Sequence, residues 1–465
     1  MNIREIFFLF FVLTGFILSI LNNFYQIEYF DYFRASVNGS KLHSMINGDI
    51  FLFWKEGALT AEDLINGKNY FLTGEEYRRP YLPSRIYAFF SILMSQDLLT
   101  NDGLVSLEFN KILILISQTV IFYFLIICLY FVLIKHLPKN VSKIIIIFLA
   151  FEPTLFMYHS SFLSESFFFS LQILLLIFIL FRNHSNFSIF LIGLILGILY
   201  LQRSVAIFYI IPILIYFYSL NKKFFIRYAL IMLVSLSIVH TFVGYHNLKR
   251  IGFFYNVSAQ AKDGFYDYLL PIIISEKNKI NISDAKIYLE DKKKIWMKKN
   301  NLENKSFEDE LNRLKYYDYA KNYSLNIMIK NPLLTSKIIL KKTLHFFIID
   351  PLTHVYYFHR WDNLDGSFYG SDTQKKWVVP RIIYSLIIYF FVFLGFYNFF
   401  RNEKNNKLFF LIILSILYFT IVQSWYGGTR YFAPILIYLS FPFAFGLVSF
   451  KNFIQNNLIK NESSK

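Results

Sequence analysis

The sequence predicts an all-α polytopic membrane protein, and three observations carry that expectation. The 465 residues are 55% hydrophobic and 20% aromatic, with 56 Phe and 34 Tyr, far more apolar than an ordinary soluble domain. The apolar residues gather into about ten runs, each near the ~20 residues that a helix needs to cross a bilayer core. The Lys and Arg behind the formal charge of +16 fall in short clusters beside these runs, which is the pattern of cytoplasmic loops and not of a nucleic-acid surface. The expected partner is therefore the lipid bilayer, with no nucleic acid. The single cysteine, Cys128, lies inside an apolar run, so no intrachain disulfide is possible.

In chain order the runs are 5–22, 111–134, 143–160, 164–181, 187–201, 204–219, 226–245, 379–400, 407–424 and 431–450. Between them lie the basic connections "KHLPKNVSK" (Lys135 to Lys143), "FRNHSNF" (Phe181 to Phe187), "NKKFFIR" (Asn221 to Arg227) and "FRNEKNNK" (Phe400 to Lys407). With "MNIRE" in the cytoplasm, all four connections and the tail "KNFIQNNLIKNESSK" fall on the cytoplasmic side. Both termini are then inside. Arg4 ahead of an apolar stretch resembles a signal peptide, but no small-residue cleavage pattern follows, so an uncleaved first helix is expected.

Two long segments remain on the outer side, 23–110 and 246–378. The chain therefore divides into a transmembrane core over 1–245 that includes the outer loop 23–110, an outer-side helical region over 246–378, and C-terminal transmembrane helices with a cytoplasmic tail over 379–465. Each outer segment contains an amphipathic piece, "LPSRIYAFFSILMS" (Leu82 to Ser95) and "IKNPLLTSKIILKKTLHFF" (Ile329 to Phe347), suited to lying in the membrane interface. For 82–95 a short span is the alternative, and it would reverse the orientation of everything after it. The charged stretch from Ser275 to Tyr323 has helical periodicity and reads as a solvated helical subdomain.

With this orientation, ionisable residues collect at the outer ends of the helices. Asp49 lies in the first outer loop, Glu165 in "MYHSSFLSESFFF", Arg203 in "LYLQRSVAIF" and Arg430 in "WYGGTRYFAP". Charge at membrane depth is costly and marks function by default. Two acids and two arginines on one side point to a shared pocket, although each alone fits a headgroup contact equally well. Glu152, ahead of Pro153, belongs to the same outer half and equally suits a broken helix whose backbone needs a partner. Carboxylates serve as base or nucleophile in sugar transfer, and arginine grips phosphate through two parallel hydrogen bonds. The sequence contains no Walker or Rossmann glycine pattern, and no cytoplasmic connection is long enough for a nucleotide-binding domain. A phosphate donor is therefore expected to be a lipid.

These residues resemble the GT-C fold of integral-membrane glycosyltransferases, in particular the branch of protein O-mannosyltransferases and the aminoarabinose transferase of lipid A. "GDIFLFWKEGALTAEDLINGKNYF" and "YRRPYLPSRIYAFFSIL" are similar to that branch's first acidic loop and Pro-containing interfacial segment. Asp49 stands at the acid, Phe53 or Trp54 stands near the aromatic, and Pro80 lacks the second Pro of the family pair. "EPTLFMYHSSFLSESFFFSLQILLL" is similar to the second acidic loop, with Glu165 at its acid, and "GILYLQRSVAIFYIIPILI" to the arginine element, with Arg203 in place and Ser204 where Pro is usual. "IKNPLLTSKIILKKTLHFF" and "GGTRYFAPILIYLS" are similar to the family's later interfacial helix and closing element.

The resemblance implies a transferase moving a hexose or pentose from a polyprenyl-phosphate donor to a protein, lipid or glycan acceptor on the outer face of a bacterial plasma membrane. Asp49 would be the catalytic base and Glu165 a supporting catalytic carboxylate that positions the acceptor or sugar or binds a metal. Arg203 and Arg430 would hold the donor phosphate, joined by Arg78 and Arg79, which flank the acidic loop. Family members differ in metal need, so a divalent ion stays open, and the sequence itself requires no cofactor. The rival readings are a lipid-linked polysaccharide polymerase or ligase, which does not require the acidic first loop, and a transporter or lipid flippase, against which stands the absence of an internal repeat.

Overall fold

The computed structural model describes residues 3–37, 56–57, 59–73, 81–93, 108–159, 164–181, 184–255, 264–302, 310–348, 372–401, 406–425 and 429–463. Along some helix ends, among them 25–37, 372–378 and 429–430, it describes the backbone alone. Every regular element among the described residues is helical, as the apolar periodicity predicts. The first half runs α1 (Ile3–Val37), α2 (Tyr81–Leu93), α3 (Glu108–Leu133), α4 (Lys139–Phe151), α5 (Pro153–His159), α6 (Glu165–Leu180), α7 (Asn186–Gln202), α8 (Ile210–Leu220) and α9 (Phe225–Ile251). The region 246–378 supplies α10 (Leu270–Asn278), α11 (Ile282–Lys299), α12 (Glu310–Lys330) and α13 (Pro332–Ile348). The chain closes with α14 (Asp372–Arg401), α15 (Asn406–Gln423) and α16 (Thr429–Ser463).

Among the described residues, four helices are long and apolar enough to cross a bilayer: Glu5–Phe24, Ile112–Leu133, Phe225–Ile251 and Tyr431–Asn456. The pair α4 and α5, bent by 58°, makes a fifth only when the two are counted together as one span. The remaining apolar runs form shorter helices of 10–17 residues, so helix length alone does not establish the expected count of about ten spans. The described part of the amphipathic piece 82–95 is helical, within α2.

Two sequence runs that read as single spans are broken, and both breaks have local causes. Pro153 cannot donate a helical hydrogen bond, so the run 143–160 splits there. Glu152 turns extended (φ −60°, ψ 121°) and its carboxylate Oε2 accepts the Leu155 N–H at 2.7 Å, capping α5. Its Oε1 accepts from the Tyr384 hydroxyl of α14. The run 204–219 opens with a 3-10 turn, Ser204–Ala206, before α8. There the Tyr418 hydroxyl accepts from Phe208 N–H at 3.1 Å and donates to the Val205 carbonyl at 2.5 Å. A side chain from α15 thus satisfies the backbone groups released by the irregular turn.

One end of the bundle gathers the N-terminus of α1 and three of the basic connections. Glu5 Oε1 pairs with Lys139 at 2.9 Å and Lys143 at 2.6 Å. His136 Nε2 lies 2.7 Å from the Leu180 carbonyl, and the Tyr228 hydroxyl donates to the His184 carbonyl at 3.4 Å. The connections 135–143, 181–187 and 221–227 therefore share an end, the arrangement that the positive-inside pattern calls for.

Small residues set the tightest crossings, as in membrane helix pairs generally. Gly193 of α7 lies against Ser235 and the Met232 backbone of α9. Gly395 of α14 and Gly446 of α16 bring the two backbones into direct contact. α16 forms the centre of the bundle, with Phe432, Ala433, Ile435, Ile437, Tyr438, Phe441 and Ala444 almost fully buried. The outer-side region packs on aromatics. Trp296 of α11 stacks on Tyr319 of α12 (ring centroids 5.2 Å apart, 20° between planes), and Tyr266 donates to the Leu289 carbonyl at 2.7 Å.

Candidate active site

At the end opposite the basic connections, α6 begins with Glu165 and α7 ends at Arg203. Glu165 is fully buried in the first turn of α6, where the helix N-terminus favours a negative charge. Its Oε2 accepts from the Ser164 hydroxyl at 3.2 Å. Arg203 ends α7 in an extended conformation (φ −151°, ψ 125°), its N–H still bonded to the Leu199 carbonyl. The helix thus stops where the side chain can turn inward. Arg203 Nη1 lies 3.2 Å from Glu165 Oε1, with side-chain exposures of 6% and 0%.

The pair is walled by aromatic and amide groups. The Arg203 guanidinium lies over the rings of Phe168, at 5.6 Å, and Tyr431, at 5.4 Å. Gln202 Nε2 donates to the Ser164 carbonyl at 2.8 Å, tying the end of α7 to the start of α6. Tyr87 of α2 is also close: burial, and then the Glu165 charge, push its phenol well above the usual range. Two buried charges are tolerated because each compensates the other in low dielectric. Removing one would leave the other uncompensated.

Of the residues singled out in the sequence, Glu165 and Arg203 meet directly. Arg430 lies in the first turn of α16, beside the Tyr431 whose ring covers Arg203, so the backbone of a third site residue comes to the same place. The side chain of Arg430, and Asp49, Arg78 and Arg79, lie outside the described residues. Glu152 takes the alternative role of partner to a broken helix. Among the described residues no group of three or more His, Cys, Asp or Glu is placed to hold a metal ion.

Sequence reasoning missed Tyr431, Gln202 and Tyr87, which line the pair, because nothing in a run of aromatics marks the ring that will cover an arginine. It also missed Arg85 on α2. Arg85 Nη1 donates to Thr60 Oγ1 at 2.7 Å and to Thr73 Oγ1 at 3.3 Å, and Nη2 donates to the Thr73 carbonyl at 3.3 Å. The guanidinium also lies over Tyr70 and Tyr81. His246 Nε2 of α9 sits 3.0 Å from the Tyr70 carbonyl. The described part of the first outer loop, 59–73, is thereby fastened to α2 and α9. The available signal was a lone arginine in an otherwise apolar interfacial stretch.

No family model and no curated protein matches the chain. A solved structure of similar fold is the archaeal oligosaccharyltransferase AglB from Archaeoglobus fulgidus, in complex with an inhibitory peptide and a dolichol-phosphate. The identity is 9% and the TM-score 0.50, and the match covers 99% of this chain and 52% of that one. This chain therefore spans about half the length of that enzyme. The likeness shows the fold, a GT-C-like integral-membrane architecture.

Proposed function

We propose that the chain is a GT-C-type glycosyltransferase that moves a sugar from a polyprenyl-phosphate donor to an acceptor on the outer face of the membrane. One observation carries this reading: the buried Glu165–Arg203 pair, joined by the turn of Arg430, lies at the end of the bundle opposite the basic connections. The similar fold of an enzyme solved with a dolichol-phosphate and a peptide supports a lipid-linked donor.

In this scheme the acceptor oxygen bonds the anomeric carbon as the carbon–oxygen bond to phosphate breaks, and the leaving pair stays on the phosphate. Asp49 takes the acceptor proton. A phosphate leaving group needs little acid assistance, so one carboxylate and cationic phosphate contacts meet the main demands. Inversion at the anomeric carbon follows from a single displacement. Glu165 neutralises part of the Arg203 charge, so Arg430, Arg78 and Arg79 carry the larger share of the phosphate contact. Glu165 itself acts by holding Arg203 in place.

The deciding measurement is release of polyprenyl phosphate from polyprenyl-phosphate-linked sugars by the purified protein in liposomes, with mass spectrometry of the products. Asp49→Asn keeps the shape and removes the basicity, so its turnover is expected to fall about 10²- to 10⁴-fold with donor binding intact. A variant keeping more than about a tenth of the normal rate would mean that Asp49 merely caps a helix.

A further inference from the structure

The outer-side helix α13 crosses the turn between α15 and α16, and its contacts fall on both sides of that turn. Ahead of the turn, Lys342 Nζ donates to the Trp425 carbonyl at 2.9 Å and to the Tyr268 carbonyl at 3.5 Å. Thr343 Oγ1 and Ser424 Oγ are 2.7 Å apart. Beyond the turn, Phe346 and Phe347 pack edge-on against Phe432, at 5.4 Å and 5.8 Å. Trp425 in addition stacks on Phe265, with centroids 4.3 Å apart and 22° between planes.

Both carbonyls that Lys342 reaches lie where the backbone leaves regular α-helix. Trp425 lies two residues beyond the end of α15, close to the negative end of that helix. Tyr268 lies in the π-helical turn Phe265–Leu269, another interruption of regular bonding. An ammonium with three donors on a flexible arm suits two carbonyls arriving from different elements. A purely apolar side chain would pack there but leave both without this donor.

We infer that Lys342 is a positioning residue for the donor-phosphate site: it fixes the turn that carries Arg430 and Tyr431 against Arg203. The inference rests on the reading of that pocket as the transfer site. Tyr431 lies over Arg203, so a turn released from α13 would carry both Tyr431 and Arg430 away from the buried pair.

The test uses the full chain in nanodiscs, with Lys342→Met, Lys342→Arg, Arg430→Ala and the Lys342→Met/Arg430→Ala double variant. Two quantities are measured: amide hydrogen exchange over 424–432, which needs no assumption about activity, and kinetics with a polyprenyl-phosphate sugar. Lys342→Met is expected to speed exchange in that segment about ten- to hundredfold, the scale of a hydrogen bond to a charged group. It should also raise KM for the donor several-fold with little change in kcat. The double variant should fall short of the product of the two single effects, because Lys342 acts in part through Arg430. Lys342→Arg, which keeps donors for the carbonyls, should restore both readouts. If Lys342→Met does not accumulate, Lys342→Gln, with one amide donor on a shorter arm, gives the same comparison. Unchanged exchange over 424–432 overturns the positioning role, as does additivity with Arg430→Ala. An Arg430→Ala variant with a normal donor KM instead overturns the reading of the pocket, and does so in a protein whose Lys342 is intact.

Discussion

The charged pair at the start of α6 and the end of α7 shows how one residue's worth depends on its partner. Glu165 and Arg203 are both shielded from solvent, so the attraction between them offsets a desolvation cost of several kcal/mol per ion. Arg203→Ala is expected to lower the unfolding free energy in mixed micelles by about 3–5 kcal/mol, because the buried Glu165 carboxylate loses the Arg203 charge. Adding Glu165→Gln to Arg203→Ala should recover much of that loss, since a neutral amide tolerates the same site at smaller cost. A double variant no more stable than Arg203→Ala alone would mean that the two groups are not coupled. The residue types were legible in the sequence as outer-side charges. Their pairing was not, because 38 positions separate them and no spacing rule links a helix start to the end of the next helix.

At the level of elements, glycine decides how closely two helices approach. A Cβ built on Gly395 would lie 1.7 Å from the Pro442 carbonyl oxygen, and one on Gly446 would lie 1.9 Å from that of Phe391. Both obstacles are backbone atoms and cannot rotate away. Gly395→Ala or Gly446→Ala must push α14 and α16 apart along their whole contact, which should cost about 3 kcal/mol or more, at or beyond the usual range for overpacking. Gly252 provides the internal contrast. It caps α9 at φ +73° with nothing within 4 Å of a built Cβ, so Gly252→Ala meets only a backbone penalty of about 1 kcal/mol. Thermal unfolding of the three variants in detergent should rank Gly252→Ala well above the other two. Local chemistry ends helices at Pro153, inside a run that read as a single span, and at Gly252. The irregular opening turn of the run 204–219 is stabilised by Tyr418, from a distant part of the chain.

For the molecule as a whole, sidedness is the property on which the functional reading depends. A reporter at residue 300 should label from the outer side, and reporters at residues 140, 222 and 404 from the cytoplasm. The contacts of Glu5, His136 and Tyr228 already place the chain's start and the connections at 135–143, 181–187 and 221–227 at one end of the bundle. Cytoplasmic labelling at residue 300 would put the Glu165–Arg203 pair on the wrong side for a donor presented outside. The region 246–378 is joined to the bundle: through Lys342 and Phe265 it touches Trp425, just beyond α15.

Composition and periodicity by themselves determined the helical membrane class, the position of most helices, and the grouping of three basic connections at one end of the bundle. These are consequences of local partitioning: apolar runs seek hydrocarbon, and Lys and Arg mark the loops beside them. Only the tertiary structure decided that Arg203 faces Glu165, that Glu152 caps a broken helix, that Arg85 fastens the first outer loop, and that Lys342 spans the last turn. Each of these is an electrostatic or hydrogen-bonding match between elements far apart in the chain. In a low-dielectric interior such matches are made wherever packing brings a buried polar group to its partner, and that meeting is fixed by the fold rather than by either segment alone.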